Sequence, residues 1–173
     1  MPQFRLTAKI AKALKVLELK NPNNCTKLYD DWYLDVTRIS RKKVFIFMHI
    51  HSKIAFAIPS YEIGGINSLF ECFALLLRDC LNSLGYEEIA EQAYDYFCCH
   101  ISQINFVKTN DKSTLRYVSN FILQLDIAYK KLNDISQYIC DNVSEDWLDH
   151  FIKYRDQSNA YTTPRKLLKK LLP

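Results

Sequence analysis

Residues 32–58 constrain the fold most strongly, because they are rich in β-branched and aromatic side chains and are divided by short polar turns. This pattern predicts a three-stranded antiparallel meander. The strands fall at residues 32–39, 44–51 and 54–58. Both faces of the middle strand are apolar, which predicts a central strand covered on both sides. Two-residue turns would place Val36 opposite Phe47 and Leu34 opposite His49.

Helical spacing of apolar residues covers most of the remaining chain. Thr7 is expected to cap a first helix that begins at residue 8. Ser68 and Glu71 form a capping box for a second helix, which ends at Gly85. Further helices are predicted at residues 87–100, from Ser144 onward, and from Thr163 and Pro164 to residue 172.

The longest predicted helix follows Asp111. Its apolar residues recur at alternating spacings of three and four, which is typical of a heptad seam. The seam consists of Leu115, Val118, Ile122, Leu125, Tyr129, Leu132, Ser136 and Ile139. Antiparallel packing inside one domain explains such a seam, and a dimer interface is the alternative.

These elements together predict an α+β fold, in which a small, mainly antiparallel sheet is packed with several helices. The sheet contains the meander and short strands near residues 3–6 and 103–108. Residues 1–156 are predicted to form one domain, and residues 157–173 a basic, amphipathic C-terminal tail. The tail carries Arg165, Lys166, Lys169 and Lys170. It is expected to dock on the chain's own acidic middle or in the groove of a partner.

Charge is strongly polarised along the chain, although the net charge is only +4. Residues 1–53 contain eleven Lys and Arg against four Asp and Glu. Residues 54–156 contain eight basic residues against fifteen acidic ones, and the remainder adds four basic residues and no acid. Such asymmetry suits an interface, either within the fold or with an acidic partner.

The polar junction at residues 106–115, where a strand runs into the long helix, is the first candidate site. Free N–H groups at a helix start can bind an anion. The candidate anion-binding residues are Lys108, Thr109, Lys112, Ser113 and Arg116. In the alternative interpretation, Asn110 or Asp111 caps the helix and the lysines are only solvated.

The first turn of the meander is a second basic feature. It carries Arg38, Arg41, Lys42 and Lys43. A charged turn of this kind protects a sheet edge, or it forms a nucleic-acid surface together with nearby aromatic residues. His49 and His51 share one face of a strand, but no third metal ligand stands at a suitable spacing. Asp35 is expected on the opposite face of the sheet.

No complete catalytic motif is present, because the chain lacks a serine nucleophile elbow, an H-E-x-x-H helix and a dinucleotide fingerprint. The six cysteines include no C-x-x-C pair and are expected to be buried free thiols. We therefore predict no cofactor and no metal centre. Neither a signal peptide nor a bilayer-length apolar segment is apparent, which predicts a cytoplasmic protein.

Three segments occur in a recognisable order. They are Asp31-Trp32-Tyr33-Leu34-Asp35-Val36, Ser40-Arg41-Lys42-Lys43 and Phe106-Val107-Lys108-Thr109-Asn110-Asp111-Lys112-Ser113. With the preceding strand and helix, they resemble a prokaryotic family of short accessory and plasmid-associated proteins, domain of unknown function 6933. The resemblance spans roughly residues 4–140, and the third segment is its most specific part.

The chain departs from this family pattern at several polar positions. Tyr33 and Asp35 stand where the family usually has His and Asn, and Arg116 stands where it usually has Gly. The usual Arg of the third motif is Lys112, which cannot bind an anion through two parallel hydrogen bonds. The resemblance implies an association with mobile and accessory genes, but no activity.

Three functions are compatible with these features. The leading expectation is a non-enzymatic binding or regulatory protein of a prokaryotic accessory, mobile-element or defence system, acting on a protein partner or as a homodimer. The alternative is nucleic-acid binding through the basic turn and the junction at residues 106–115. A further alternative is an enzyme for a phosphorylated small molecule, which requires Lys108, Lys112, Ser113 and His49 to share one pocket.

Overall fold

The computed structural model describes residues 1–23, 30–109, 111–153 and 161–172. A five-stranded mixed sheet forms its centre, with the strand order β4-β3-β2-β1-β5. The strands are β1 (Gln3–Leu6), β2 (Asp31–Ile39), β3 (Lys42–His49), β4 (Ala55–Pro59) and β5 (Asn105–Lys108). The predicted meander β2-β3-β4 is antiparallel, and β1 inserts between β2 and β5 with both pairings parallel. The predicted α+β class is confirmed.

The first hairpin turn consists of Ser40 and Arg41, both in the left-handed region with φ of 44° and 74°. A two-residue turn with positive φ at both positions matches the twist of the flanking strands. It places Leu34 opposite Phe47, so the predicted register was wrong by two residues. Because side chains alternate with a period of two, this shift leaves every side chain on its predicted face.

Six helices cover the sheet in the described part of the chain. They are α1 (Ala8–Ala13), α2 (Ile66–Ser83), α3 (Glu87–His100), α4 (Lys112–Leu132), α5 (Gln137–Leu148) and α6 (Pro164–Lys169). A two-stranded antiparallel ribbon, β6 (Ile152–Lys153) and β7 (Tyr161–Thr162), lies between α5 and α6. None of the described helices is both long and apolar enough to cross a bilayer.

Each face of the sheet has its own hydrophobic core. On the first face, Phe4, Trp32 and Phe47 pack with aromatic side chains of α2 and α3, including Phe73 and Phe97. The second face is covered by α4 and α5. Its core includes Tyr33, Ile46, Met48, Phe121, Leu125 and Trp147. The prediction that β3 is covered on both sides is confirmed.

Several predicted helix ends are confirmed. Thr7 caps α1 through its hydroxyl, which accepts from the N–H of Ile10. The prediction for α3 matches its observed bounds, and Gly85 follows α2 with a φ of 82°. Thr163 caps α6 by accepting from the N–H of Lys166.

Other predicted ends were wrong. The helix α2 begins at Ile66, so Ser68 lies inside its first turn and is not the cap. The predicted heptad helix breaks at Asn133, which adopts the left-handed conformation, and Ser136 is the N-cap of α5. Ser144 lies inside α5, where its hydroxyl donates to the carbonyl of Cys140.

The C-terminal helix α6 packs onto the rest of the chain. Leu168 is buried in the core of the first face, and Leu167 in the core of the second face. Arg165 forms a double hydrogen bond with the exposed Asp149, which is the C-cap of α5. Lys166, Lys169 and Lys170 are exposed. The amphipathic pattern of this segment is therefore explained by packing within the chain.

Candidate functional site

A cleft of about 620 Å³ lies between the first turns of α4 and the ribbon β6-β7. We refer to it as the basic cleft. It is lined by Lys112, Ser113, Arg116, Tyr117, Asn120, Phe151, Ile152, Lys153 and Tyr161. Its volume lies in the range of ligand-binding pockets in proteins, roughly 300–1,000 Å³.

One wall of the basic cleft is a polar strip on α4. Lys112, Arg116 and Asn120 follow one another at intervals of four residues, so they lie on the same side of the helix. Ser113 lies beside them, and all four side chains are exposed. Three of these residues belong to the anion-binding set predicted from the sequence.

The opposite wall is one face of the ribbon. Lys153 is paired with Tyr161, and side chains alternate along each strand, so Phe151, Lys153 and Tyr161 share this face. Phe151 and Tyr161 are each 70% exposed. Ile152 projects the other way and is buried in the core of the second face. The hydroxyl of Tyr117 donates to the carbonyl of Lys153 and attaches the ribbon to α4.

The basic cleft carries a concentrated positive charge. Lys112, Arg116 and Lys153 contribute three cationic groups, and no carboxylate is among the described residues that line it. A concave surface lined by one sign of charge raises the local concentration of ligands of the opposite sign. The arrangement therefore favours an anionic ligand.

A buried lysine, Lys53, contacts the N-terminal end of α4. The ammonium group of Lys53 donates to the hydroxyl of Thr114 at 2.7 Å and lies 3.8 Å from the carboxylate of Asp111. It also donates to the carbonyl of Ile50 and faces the ring of Tyr117. Burial lowers the pKa of Lys53 to about 8, although the nearby carboxylate of Asp111 acts in the opposite direction.

The carboxylate of Asp111, the residue before α4, caps the start of this helix. Asp111 accepts hydrogen bonds from the N–H groups of Ser113 and Thr114 at 2.9 and 3.2 Å. Burial acts to raise the pKa of Asp111, but hydrogen bonds from Thr114 and the charge of Lys53 outweigh it and lower this pKa. These N–H groups are thus occupied, so an anion at this site would be held by side chains. Asn110, the other predicted cap, lies outside the described residues.

The remaining residues of the predicted junction site lie away from the basic cleft. Lys108 is exposed at the end of β5, where its N–H donates to the carbonyl of Lys20. The hydroxyl of Thr109 is buried and has no hydrogen-bond partner within the described parts of the chain. The structure therefore brings together Lys112, Ser113 and Arg116, but not Lys108 and Thr109.

The basic turn forms a separate surface. Arg38, Arg41, Lys42 and Lys43 are all exposed. Lys42 forms an ion pair of 3.2 Å with Asp134, just beyond the C-terminal end of α4. The residues of α4 that line the basic cleft lie in the N-terminal part of this 21-residue helix, so the rise per residue places them roughly 20–30 Å from the turn. The two predicted basic features therefore do not form one continuous surface.

The polar residues of the sheet do not converge on the basic cleft. His49 lies opposite Trp32 on the first face, where its Nδ1 is 2.8 Å from the hydroxyl of Ser52. His51 lies beside His49, with ring centroids 5.7 Å apart. Asp35 accepts from Thr7 and, as predicted, belongs to the opposite face. The pocket required by the enzyme hypothesis is not formed, because His49 and α4 lie on different faces.

The cysteines are less completely buried than the sequence predicted. Of the five cysteines within the described ranges, all free, only Cys140 is buried and Cys99 is exposed. Burial raises the pKa of the Cys140 thiol to about 12, which makes it a poor nucleophile. Cys25 lies outside the described residues. Within the part of the chain that the structure describes, no group of three or more His, Cys, Asp and Glu residues is arranged to hold a metal ion.

Sequence reasoning identified only three of the nine residues that line the basic cleft, Lys112, Ser113 and Arg116. It did not identify Tyr117, Asn120, Phe151, Lys153 and Tyr161 as site residues, because the ribbon is too short to show a strand pattern. The sequence contains one signal for the ribbon face, because Phe151 and Lys153 stand two positions apart, as side chains on one face of a strand do. Arg5, Asp31 and Lys53 were also missed, although Lys53 visibly interrupts an apolar region.

Comparison with known families agrees with the resemblance noted above. The matching family model is described as Domain of unknown function (DUF6933), and it covers residues 3–167. The match therefore includes both walls of the basic cleft and the first residues of α6, and extends beyond the segment in which the motifs were recognised. A search of curated proteins found no match.

Proposed function

The chain belongs to the DUF6933 family, and we propose that it is a non-catalytic binding protein whose basic cleft binds nucleic acid. The observation that carries this proposal is the convergence of three cationic and two exposed aromatic side chains on one cleft. Cationic groups neutralise backbone phosphates, and aromatic rings provide faces against which bases can stack.

The cationic groups are suitable for contact with several phosphates. Lys112 and Arg116 are one helical turn apart on α4, and Lys153 stands on the opposite wall. All three side chains are exposed, and none forms an ion pair with another residue in the described part of the chain. A polyanion can contact all three groups at once, because its successive phosphates reach separate side chains.

Two structural features favour nucleic acid over the protein partner that the sequence suggested first. The amphipathic tail is packed against its own chain through Leu167 and Leu168. The long helix ends before Asn133, and Val118 and Leu125 of its predicted seam are buried in the core of the second face. Two features that suggested a protein partner are thus accounted for within the chain.

A second candidate function, self-association, is favoured by one observation. A groove of about 290 Å³ between α4 and α5 includes the exposed side chains of Ile127 and Leu132. Lys131 and Asp146 lie on the same groove, so a second copy related by a two-fold axis would meet opposite charges. Sedimentation of the wild type and of Leu132→Glu tests this candidate; a wild type that is monomeric at high concentration would contradict it.

The cellular setting is proposed from the family resemblance. We place the protein in the cytoplasm of a prokaryote, as part of an accessory, mobile-element or defence system. In such a system a binding protein without chemistry of its own would act by occupying nucleic acid.

Fluorescence anisotropy of labelled DNA and RNA against the full chain tests the proposed function. We expect affinity to fall as salt increases, because binding releases counterions. Reversal of charge in Lys112→Glu/Arg116→Glu should weaken binding by about tenfold or more and flatten the salt dependence. Reversal in the separate basic turn, Arg41→Glu/Lys43→Glu, removes the same number of charges and is the matched control.

Two results would count against the basic cleft. If no probe binds in a salt-dependent manner, the nucleic-acid proposal fails. If the reversal in the basic turn weakens binding as much as the reversal on α4, then total charge and not the cleft determines affinity.

A further inference from the structure

We propose that the ligand of the basic cleft is single-stranded nucleic acid, with its phosphates toward α4 and its bases against Phe151 and Tyr161. This inference rests on the proposed function and adds the strandedness and the orientation of the ligand. It follows from the unequal chemistry of the two walls, since the wall on α4 is polar and cationic, whereas the wall on the ribbon carries two aromatic rings beside a single lysine, Lys153.

The aromatic wall is presented on supported backbone. The ribbon is held by pairing of Ile152 with Thr162 and of Lys153 with Tyr161. Ile152 is anchored in the core, and Tyr117 donates to the carbonyl of Lys153. The rings next to these positions therefore need little ordering when a base stacks on them, which reduces the entropic cost of binding.

Burial within the chain does not account for the two rings. Phe151 and Tyr161 each remain 70% exposed, although neighbouring Ile152 is buried. Exposed rings beside cationic groups are typical of surfaces that bind single strands, where every base offers a face for stacking. Duplex DNA offers no such faces except at its ends, because its bases are stacked on one another.

The shape of the site leads to the same conclusion. A duplex is convex and presents phosphates at its outside, so it would contact the rim of a cleft. The basic cleft instead has rings on one wall facing cations on the other. A single strand can separate its phosphates and bases onto opposite walls, which a duplex cannot do.

Polar groups on α4 add hydrogen-bonding capacity. Ser113 and Asn120 lie on the cationic wall and offer donors and acceptors to sugars and to base edges. A ribose 2′-hydroxyl is one group that they can contact, so RNA and DNA of equal sequence are both used as probes. The proposed binding mode applies to single strands of RNA and of DNA.

The test uses the full chain and fluorescence anisotropy with four labelled probes of equal length. These are single-stranded DNA, single-stranded RNA, duplex DNA and an abasic strand with the same number of phosphates. We expect the single strands to bind at least about tenfold more tightly than the duplex and the abasic strand, because only they supply free bases. This comparison needs no variant and is independent of folding effects.

Variants then locate the stacking. Phe151→Ala/Tyr161→Ala should weaken binding of single strands about tenfold or more while leaving the salt dependence unchanged. Tyr161→Phe keeps the ring and should bind within about twofold of the wild type. Tyr138→Ala is the matched control, because Tyr138 is 72% exposed on α5 and does not line the cleft.

The outcomes separate this inference from the proposed function. Equal affinity for abasic and normal strands, or for duplex and single strands, would overturn the single-strand inference but leave nucleic-acid binding intact. Undiminished binding by the double alanine variant would overturn the stacking orientation. Absence of salt-dependent binding for every probe would overturn both proposals.

Discussion

Arg5 and Asp31 form a buried double hydrogen bond between the neighbouring parallel strands β1 and β2. The Nε–Oδ1 and Nη2–Oδ2 distances are 2.8 and 2.6 Å, and the two side chains are 11% and 1% exposed. Both residues lie on the same face of the sheet as Lys53 and Asp111, and the charge of each affects the pKa of Lys53. Positive and negative groups thus occur in pairs beneath the start of α4, connecting β1, β2, the turn before β4 and the helix.

Asp31→Ala should destabilise the protein strongly. The substitution removes the carboxylate that accepts both hydrogen bonds from the buried guanidinium of Arg5, and breaking a buried ion pair costs about 3–5 kcal/mol in the free energy of unfolding. Asp149→Ala is the control, since Asp149 and Arg165 have the same double hydrogen bond but are 63% and 31% exposed. Its effect should be about 1 kcal/mol or less. Urea denaturation of both variants gives the comparison, and similar losses would show that burial does not set the strength of these pairs.

The stability contributed by Lys53 should depend on pH. Its pKa is about 8 in the folded chain and 10.5 without perturbation. Between these values the unfolded chain binds more protons, so the free energy of unfolding of the wild type should rise with pH relative to Lys53→Met. The expected gain between about pH 7 and pH 10 is roughly 2–3 kcal/mol.

The comparison between wild type and Lys53→Met is essential for this measurement. Burial raises the pKa of Cys80 and of Cys140 from 9.0 to about 12, so these thiols lower stability as the pH rises above 9 in both proteins. Their effect cancels in the difference. Urea denaturation at several pH values would contradict the prediction if the difference stays constant or falls.

Asn133 should tolerate glycine better than alanine. It ends α4 with a φ of 51° and a ψ of 28°, and its N–H donates to the carbonyl of Tyr129 at 2.7 Å. Glycine adopts this left-handed conformation without steric cost, whereas alanine should lose about 1 kcal/mol. Thermal or urea unfolding of Asn133→Gly and Asn133→Ala measures the difference. Equal stability of the two variants would show that the backbone conformation does not limit this position.

Leu168→Ala should reveal that α6 is part of the folded core. Leu168 is completely buried, and removal of its side chain should cost about 2–5 kcal/mol. The adjacent Lys169 is exposed, so Lys169→Ala should change stability by about 0.5 kcal/mol or less. Both variants can be compared by urea denaturation. An unchanged stability in Leu168→Ala would mean that α6 detaches in solution at little cost.

Local sequence patterns were sufficient for elements whose ends depend on neighbouring residues. The cap of α1 at Thr7 and the whole of α3 were predictable because hydroxyl capping and helical spacing act within a few positions. The meander was also predictable, since alternation determines which side chains share a face. Its register was not, because the turn at Ser40 and Arg41 uses two residues in the left-handed region that are not glycine.

Apolar periodicity was enough to predict an α+β chain with a strand covered on both faces, because it indicates which side chains are buried. Long-range packing sets the insertion of β1 between β2 and β5 and the pairing of Arg5 with Asp31. It also places Lys112 and Arg116 across the basic cleft from Phe151 and Tyr161. These relationships join residues far apart in the chain, so they depend on how whole elements pack and not on any local pattern.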